Sequence, residues 1–119
     1  MKRIALLTLL KEYNPIDLQE IADKKLTIDF IKKNENCFER SCLIGHITAS
    51  CWLVNSDNTQ ALLTHHKKFN MWLQLGGHCD GDSDVLAVAI KEAQEESGID
   101  LIRVVDGKIF DIGVHKISA

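Results

Sequence analysis

The sequence predicts a single α+β domain. Three observations predict it: a helical first forty residues, an alternating apolar and polar stretch that begins near Ile44, and a paired glycine followed by a loop and a glutamate-rich helix. At 119 residues the chain has room for one core, and small domains bury proportionally less of their surface. With 45% hydrophobic and 26% charged residues, and a net charge of -3, the composition is that of an ordinary soluble protein. That balance creates no attractive field for nucleic acid or an acidic membrane. Phosphate would have to be held locally, by a metal or by backbone amides.

Residues 1–42 read as a helical segment and 43–119 as the core of the domain. The opening Met1-Lys2-Arg3 and the apolar run after it resemble a secretory leader, but the run is short and Lys11-Glu12-Tyr13-Asn14 stands where small residues should mark cleavage. A buried helix carrying Ile4, Leu7 and Leu10 is the better reading. No stretch approaches the ~20 apolar residues that span a bilayer. Pro15 punctuates the pattern, with Asn14 as a cap and Pro15 as the first position of a second helix. Ile16, Ile21, Leu26, Phe30 and Ile31 then form an irregular stripe, which predicts a break around residues 23–27 and two or three short helices in all.

From Ile44 onward Ile47, Ala49, Cys51 and Leu53 alternate with more polar neighbours, predicting a strand over about residues 45–54. Asn55-Ser56-Asp57-Asn58 is a turn cluster, and residues 60–64 make the return strand of a hairpin. Residues 65–70 are a polar connection. Met71 to Leu75 is a further extended segment ending at Gly76-Gly77. Residues 101–105 and 108–112, joined by Asp106-Gly107, predict a last hairpin.

Between these lies the segment that carries chemistry. Asp80, Asp82, Ser83 and Asp84 form a loop dense in helix-capping residues, and residues 85–97 follow as a helix with Val85, Leu86, Ala89, Ile90 and Ala93 on one side. Gly98 occupies the place of a left-handed C-terminal cap. On that helix Glu92, Glu95 and Glu96 stand at i, i+3 and i+4, so three carboxylates share one face. An acidic face alone is most simply a solvated one. Its setting changes the balance: Gly76-Gly77 lets the backbone approach a ligand, and the loop leads directly into the acid cluster. Mg2+ binds a few carboxylates and keeps positions for water and phosphate.

This segment resembles the signature of the Nudix hydrolases, G-x5-E-x7-R-E-U-x-E-E-x-G-U, where U is aliphatic. The pattern starts at Gly77 and ends at Ile99 without a gap. Glu92, Glu95, Glu96, Gly98 and Ile99 match outright, Ala93 stands at the small apolar position, and the approach Trp72-Leu73-Gln74-Leu75-Gly76-Gly77-His78 is similar to the preceding strand of that family. Two positions depart: the first glutamate of the pattern falls on Ser83 and its arginine on Lys91. Lysine lacks the planar fork that holds a carboxylate bidentately.

The resemblance implies an α/β/α sandwich around a mixed sheet and hydrolysis of a diphosphate bond in a nucleoside diphosphate linked to another group. It implies Mg2+ or Mn2+ held by Glu92, Glu95 and Glu96 with help from the Gly77 carbonyl. Gly76, Gly77 and His78 are the expected substrate contacts. Glu95 and Glu96 are the candidate catalytic carboxylates, with the general base open between them and an acid on a later loop. Two other readings stand beside this one: a silent nucleotide-binding or regulatory module, for which Ser83 and Lys91 speak, and an isomerase of isoprenyl diphosphates, whose catalytic cysteine and partner acid have no obvious place here.

Cys37, Cys42, Cys51 and Cys79 show no C-x-x-C pair or repeated zinc spacing and read as reduced packing thiols, which suits the cytoplasm. His65, His66 and His78 form no recognised ligand set. Trp72 is as consistent with core as with base stacking, and Trp52 more so with core. About twenty residues follow Ile99, fewer than a full sandwich needs, so the core is expected to be short at its C-terminal end. A homodimer that pairs open sheet edges would relieve the exposure.

Overall fold

The computed structural model describes residues 2–115. Two helices open the chain, α1 (Ile4–Glu12) and α2 (Leu18–Lys33). Leu6 and Leu10 of α1 are buried, and Leu10 and Ile31 are enclosed almost completely, each worth about 1.5–3 kcal/mol of apolar burial. Arg3 ties the pair together. Its guanidinium donates to the carbonyls of Ile31 (2.9 Å) and Lys32 (3.1 Å), satisfying acceptors that the last turn of α2 leaves free.

The cap of α2 is not Asn14. Asp17 takes that place, accepting from the Glu20 amide at 3.1 Å, and Pro15 lies before the helix. Nor does the helix break at residues 23–27. Gln19 bonds Asp23 one turn on (3.0 Å), and Thr27 turns its hydroxyl back to the Asp23 carbonyl (2.7 Å). Lys24, Lys25 and Leu26 in that stretch are strong helix formers, and local propensity outweighs the irregular apolar stripe. The exposed Ile21 and Leu26 show why the stripe misled: not all of it faces the core.

Six short strands follow: β1 (Thr48–Cys51), β2 (Leu53–Val54), β3 (Ala61–Leu62), β4 (Thr64–His66), β5 (Met71–Leu73) and β6 (Leu75–His78). They pair as three antiparallel ladders, β1 with β6, β2 with β3 and β4 with β5. The expected strand over 45–54 is interrupted at Trp52, the expected return strand is divided at Leu63, and His65 and His66 are strand residues rather than connection. The turn at residues 55–60 holds as expected, closed by the Asn55 amide on the Gln60 carbonyl (3.1 Å) and by the Asn55 carboxamide oxygen accepting from Thr59 and Gln60.

In the central ladder Ala49 faces Gly77 and Cys51 faces Leu75, and this face is buried; Thr48 and His78 pair on the opposite, exposed face. The buried face packs on α3 (Val85–Ser97), through Val88, Ala89 and Ala93. One core joins Leu6, Leu10, Ile31, Cys37, Phe38, Ala49, Cys79, Val88 and Ala89. Helices on antiparallel strands make an α+β fold consistent with the Nudix type.

The last predicted hairpin does not form. Residues 101–112 carry no strand, and Leu101 (94% exposed) and Val105 (87%) project into solvent. Asp106 accepts the Lys108 amide at 2.9 Å, a side-chain turn that competes with a ladder. Gly107 is not among the glycines at positive φ, as a tight two-residue hairpin would require. Ile109 and Ile112 alone of this stretch pack against the core. The tryptophans are also outside the core: Trp72 is 65% exposed, and Trp52 stacks nearly parallel on Phe110 at 6.4 Å.

Candidate metal and diphosphate site

The site is built from β6, the loop after it and α3. The helix starts where Asp84 accepts the Ala87 amide (3.1 Å) and stops where Gly98 takes a left-handed conformation (φ 74°), its amide donating to the Gln94 carbonyl at 2.9 Å. Those two ends fix the rotation of α3, and the buried Val88, Ala89 and Ala93 fix which face meets β6. Glu92 and Glu96, one turn apart, are thereby brought to the paired glycines.

The approach is close. A Cβ built on Gly77 would lie 2.8 Å from Glu92 Cδ and 3.0 Å from each carboxylate oxygen, so only glycine leaves space for this carboxylate. Gly76 is required for another reason, since a Cβ there would meet the Ala49 carbonyl oxygen at 2.5 Å and Ser50 Cα at 2.7 Å on the paired strand. Glu92 is half-buried, whereas Glu95 and Glu96 are exposed.

Partial desolvation pushes the Glu96 carboxyl above the ordinary carboxylate range, although the side chain stays exposed. The Gly76 amide opposes that shift by hydrogen bonding, while the charges of Glu92 and Glu95 add to it. His66, arriving from β4, pulls the other way. Thus a helix face rich in like charge meets a glycine pair with no side chains, and a cation would relieve the repulsion.

Among the described residues no group of three or more His, Cys, Asp or Glu side chains is drawn together tightly enough to form a metal cage. The arrangement is open. Glu92 and Glu96 stand beside the glycine backbone, with Glu95 on the same helix turn. Oxygen donors of this kind suit a hard cation that retains water and takes up phosphate, rather than an ion needing a closed protein shell.

His78 stands apart from this group. Alternation along β6 turns its ring to the face opposite the one Gly77 shares with Ala49, and it pairs with His46, Nδ1 to Nε2, at 3.0 Å. Desolvation and the neighbouring His78 and Arg40 hold His46 below the usual histidine range.

Ser83 and Lys91 make no side-chain hydrogen bond or ion pair among the described residues. The loop is instead held from outside it. Arg40 grips Asp80 with both ends of its fork, Nε to Oδ1 at 2.8 Å and a terminal nitrogen to Oδ2 at 3.1 Å. The Gly81 amide donates to the Phe38 carbonyl (2.9 Å), and the Lys2 ammonium reaches the Gly81 carbonyl (3.3 Å). Asp80 (φ 48°) and Gly81 (φ 88°) are both left-handed, a conformation that aspartate tolerates better than most residues. Arg40 and His46 carry no signal in the sequence, and His66 and Asp80 stand there only in a polar connection and a capping loop, since their partners lie far along the chain.

A family model described as the NUDIX domain matches residues 45–116, more than half of the chain. The chain belongs to the Nudix family. No curated protein matches it closely. The matched region begins just after the helical segment and includes the central ladder, the glycine pair, the loop and the whole of α3. Membership supports a hydrolase kind of function and a nucleotide type of substrate for this Nudix chain, and Nudix enzymes generally use divalent metals. No helix among the described residues is long and apolar enough to cross a membrane.

Proposed function

We propose that this Nudix chain hydrolyses a diphosphate bond in a nucleoside diphosphate linked to another group, with Mg2+ or Mn2+ bound at Glu92, Glu95, Glu96 and the Gly77 carbonyl. The observation that carries the reading is the approach of the Glu92 carboxylate to the Cβ-free backbone of Gly77. A bound divalent ion would neutralise the diphosphate and lower the pKa of a water molecule.

The residues of the chain supply the rest. Gly76 and Gly77 leave room for the paired strand and for Glu92, so phosphate oxygens would be met through the metal, and His78, expected as a substrate contact, lies on the opposite face and takes no part in this proposal. Glu96, whose carboxyl is already biased toward holding a proton, is our first candidate to accept the proton of the attacking water, and Glu95 is the second. The test is fragment release from a panel of nucleoside diphosphate derivatives with either metal. Turnover that needs the metal and is lost in Glu96→Gln supports the proposal; full activity in that variant refutes the assignment.

We place the protein in the cytoplasm, in keeping with four free thiols. We also propose a homodimer, supported by the unpaired edges of three two-stranded ladders and by exposed apolar residues such as Leu43 and Ile44. A monomer at micromolar concentration in sedimentation would overturn the dimer without touching the activity.

A further inference from the structure

We propose that Arg40, which lies outside the Nudix signature, is a positioning residue for the site: its fork on Asp80 holds the loop between β6 and α3 in place of a brace that Ser83 and Lys91 do not provide. The proposal rests on reading Glu92, Glu95 and Glu96 as metal ligands, and it adds an element of the fold that the reading does not contain.

Three observations converge on it. First, the loop must turn from Gly77 to the start of α3 through two consecutive left-handed residues, Asp80 and Gly81. Isolated, that conformation is costly for a residue with a side chain. Second, among the described residues every long-range hydrogen bond on this turn comes from the helical segment: the Arg40 fork on Asp80, the Phe38 carbonyl on the Gly81 amide, and the Lys2 ammonium on the Gly81 carbonyl. Cys79 adds a buried side chain to the core that holds Cys37 and Phe38. Third, the residues at the two departing positions of the signature make no bond to the loop among the described residues.

Arg40 is suited to the task because a planar guanidinium meets both carboxylate oxygens at once, which fixes orientation as well as distance. Among the described residues it makes no hydrogen bond or ion pair with the glycine pair or the acidic face of α3, so its influence on the site passes through the loop. Both partners are more than half exposed, so the pair contributes little to global stability. Its effect is local, on the path of the backbone that carries the Gly77 carbonyl to the helix.

The experiment uses the full chain, with Arg40→Ala, Arg40→Lys, Asp80→Asn and the Arg40→Ala/Asp80→Asn double variant. Asparagine keeps the tolerance of residue 80 for positive φ. Two quantities are read: hydrogen exchange at the Gly81 amide against the Ala89 and Ala93 amides inside α3, and Mn2+ affinity by calorimetry, which needs no turnover. We expect each single variant to exchange roughly fivefold faster at Gly81 with α3 unchanged, and to bind Mn2+ roughly fivefold more weakly, the double variant being no worse than either. Arg40→Lys should resemble Arg40→Ala. Unchanged exchange at Gly81, unchanged Mn2+ affinity, or losses that simply add in the double variant would overturn the proposal, and wild-type values in Arg40→Lys would overturn the role of the fork. If the unmodified chain binds no Mn2+, the hydrolase reading fails, and Gly81 exchange alone decides whether Arg40 braces the loop.

Discussion

Gly77 and Glu92 share one small volume: the space a side chain at residue 77 would fill is the space the Glu92 carboxylate occupies. A strand residue and a helix residue fifteen positions apart are thereby tied to a single local requirement. The neighbouring Gly76 looks equivalent in the sequence but is held by a different constraint, the backbone of the paired strand.

The two glycines should therefore respond differently to alanine. In Gly77→Ala the crowding falls on the far end of a flexible side chain, which can swing away. Stability should change by less than about 1 kcal/mol, while Mn2+ affinity drops as Glu92 is displaced. In Gly76→Ala the crowding falls on the Ala49 carbonyl and Ser50 Cα, and the cost should reach about 1–3 kcal/mol. Denaturant unfolding combined with Mn2+ titration measures both; equal stability losses would contradict the distinction.

Glu96 sets a pH dependence. Its folded pKa lies above the ordinary carboxylate value because of partial desolvation first, so folding favours its protonated form. The associated stability is present at acid pH, below the unfolded pKa, and is lost as pH rises through the folded pKa. Without metal, Glu96→Gln should thus be more stable than the parent at neutral pH and indistinguishable from it in acid. Thermal unfolding at the two pH values checks this, and a destabilised variant at neutral pH would contradict it.

Tyr13 offers a clean optical probe, since it is the only tyrosine in the chain. Desolvation foremost, then its hydrogen bond to Glu20 Oε1 at 2.8 Å, pushes its pKa up to about 12. The stability tied to the neutral phenol is full below the unfolded value near 10 and is lost as pH rises toward 12. Absorbance of the tyrosinate should appear only near pH 12 or upon unfolding. Ionisation near pH 10 with the fold intact would be the contrary result.

At the start of the acidic helix, Asp84→Ala removes the acceptor for the Ala87 amide and should cost about 1 kcal/mol. Asp82→Ala, which loses only a bond within the loop to the Asp84 amide, should cost less. Urea midpoints of the two variants decide the order.

How much of this was legible beforehand follows from range along the chain. The helix over 85–97, its left-handed end at Gly98 and the shared face of the glutamates were readable because capping chemistry and i, i+3, i+4 spacing are local, whereas the meeting of the glycine pair with the glutamates was implied only by the resemblance to the Nudix signature. The continuity of α2 was hidden by apolar residues that turned out to face solvent. The failed hairpin at 101–112 was hidden because alternating apolar residues signal a strand only where a partner and a buried face exist, and Leu101 and Val105 find neither among the described residues. The Arg40 to Asp80 fork spans forty positions, and no spacing rule connects them.

The most direct measurement is release of phosphate-ended fragments from a panel of nucleoside diphosphate derivatives, with Mg2+, with Mn2+ and with chelator, for the parent chain and Glu96→Gln. Metal-dependent cleavage by the parent, abolished by chelator and by the substitution, is the predicted result. A parent chain that binds these compounds calorimetrically but releases nothing with either metal would contradict the account and leave a nucleotide-binding module in its place.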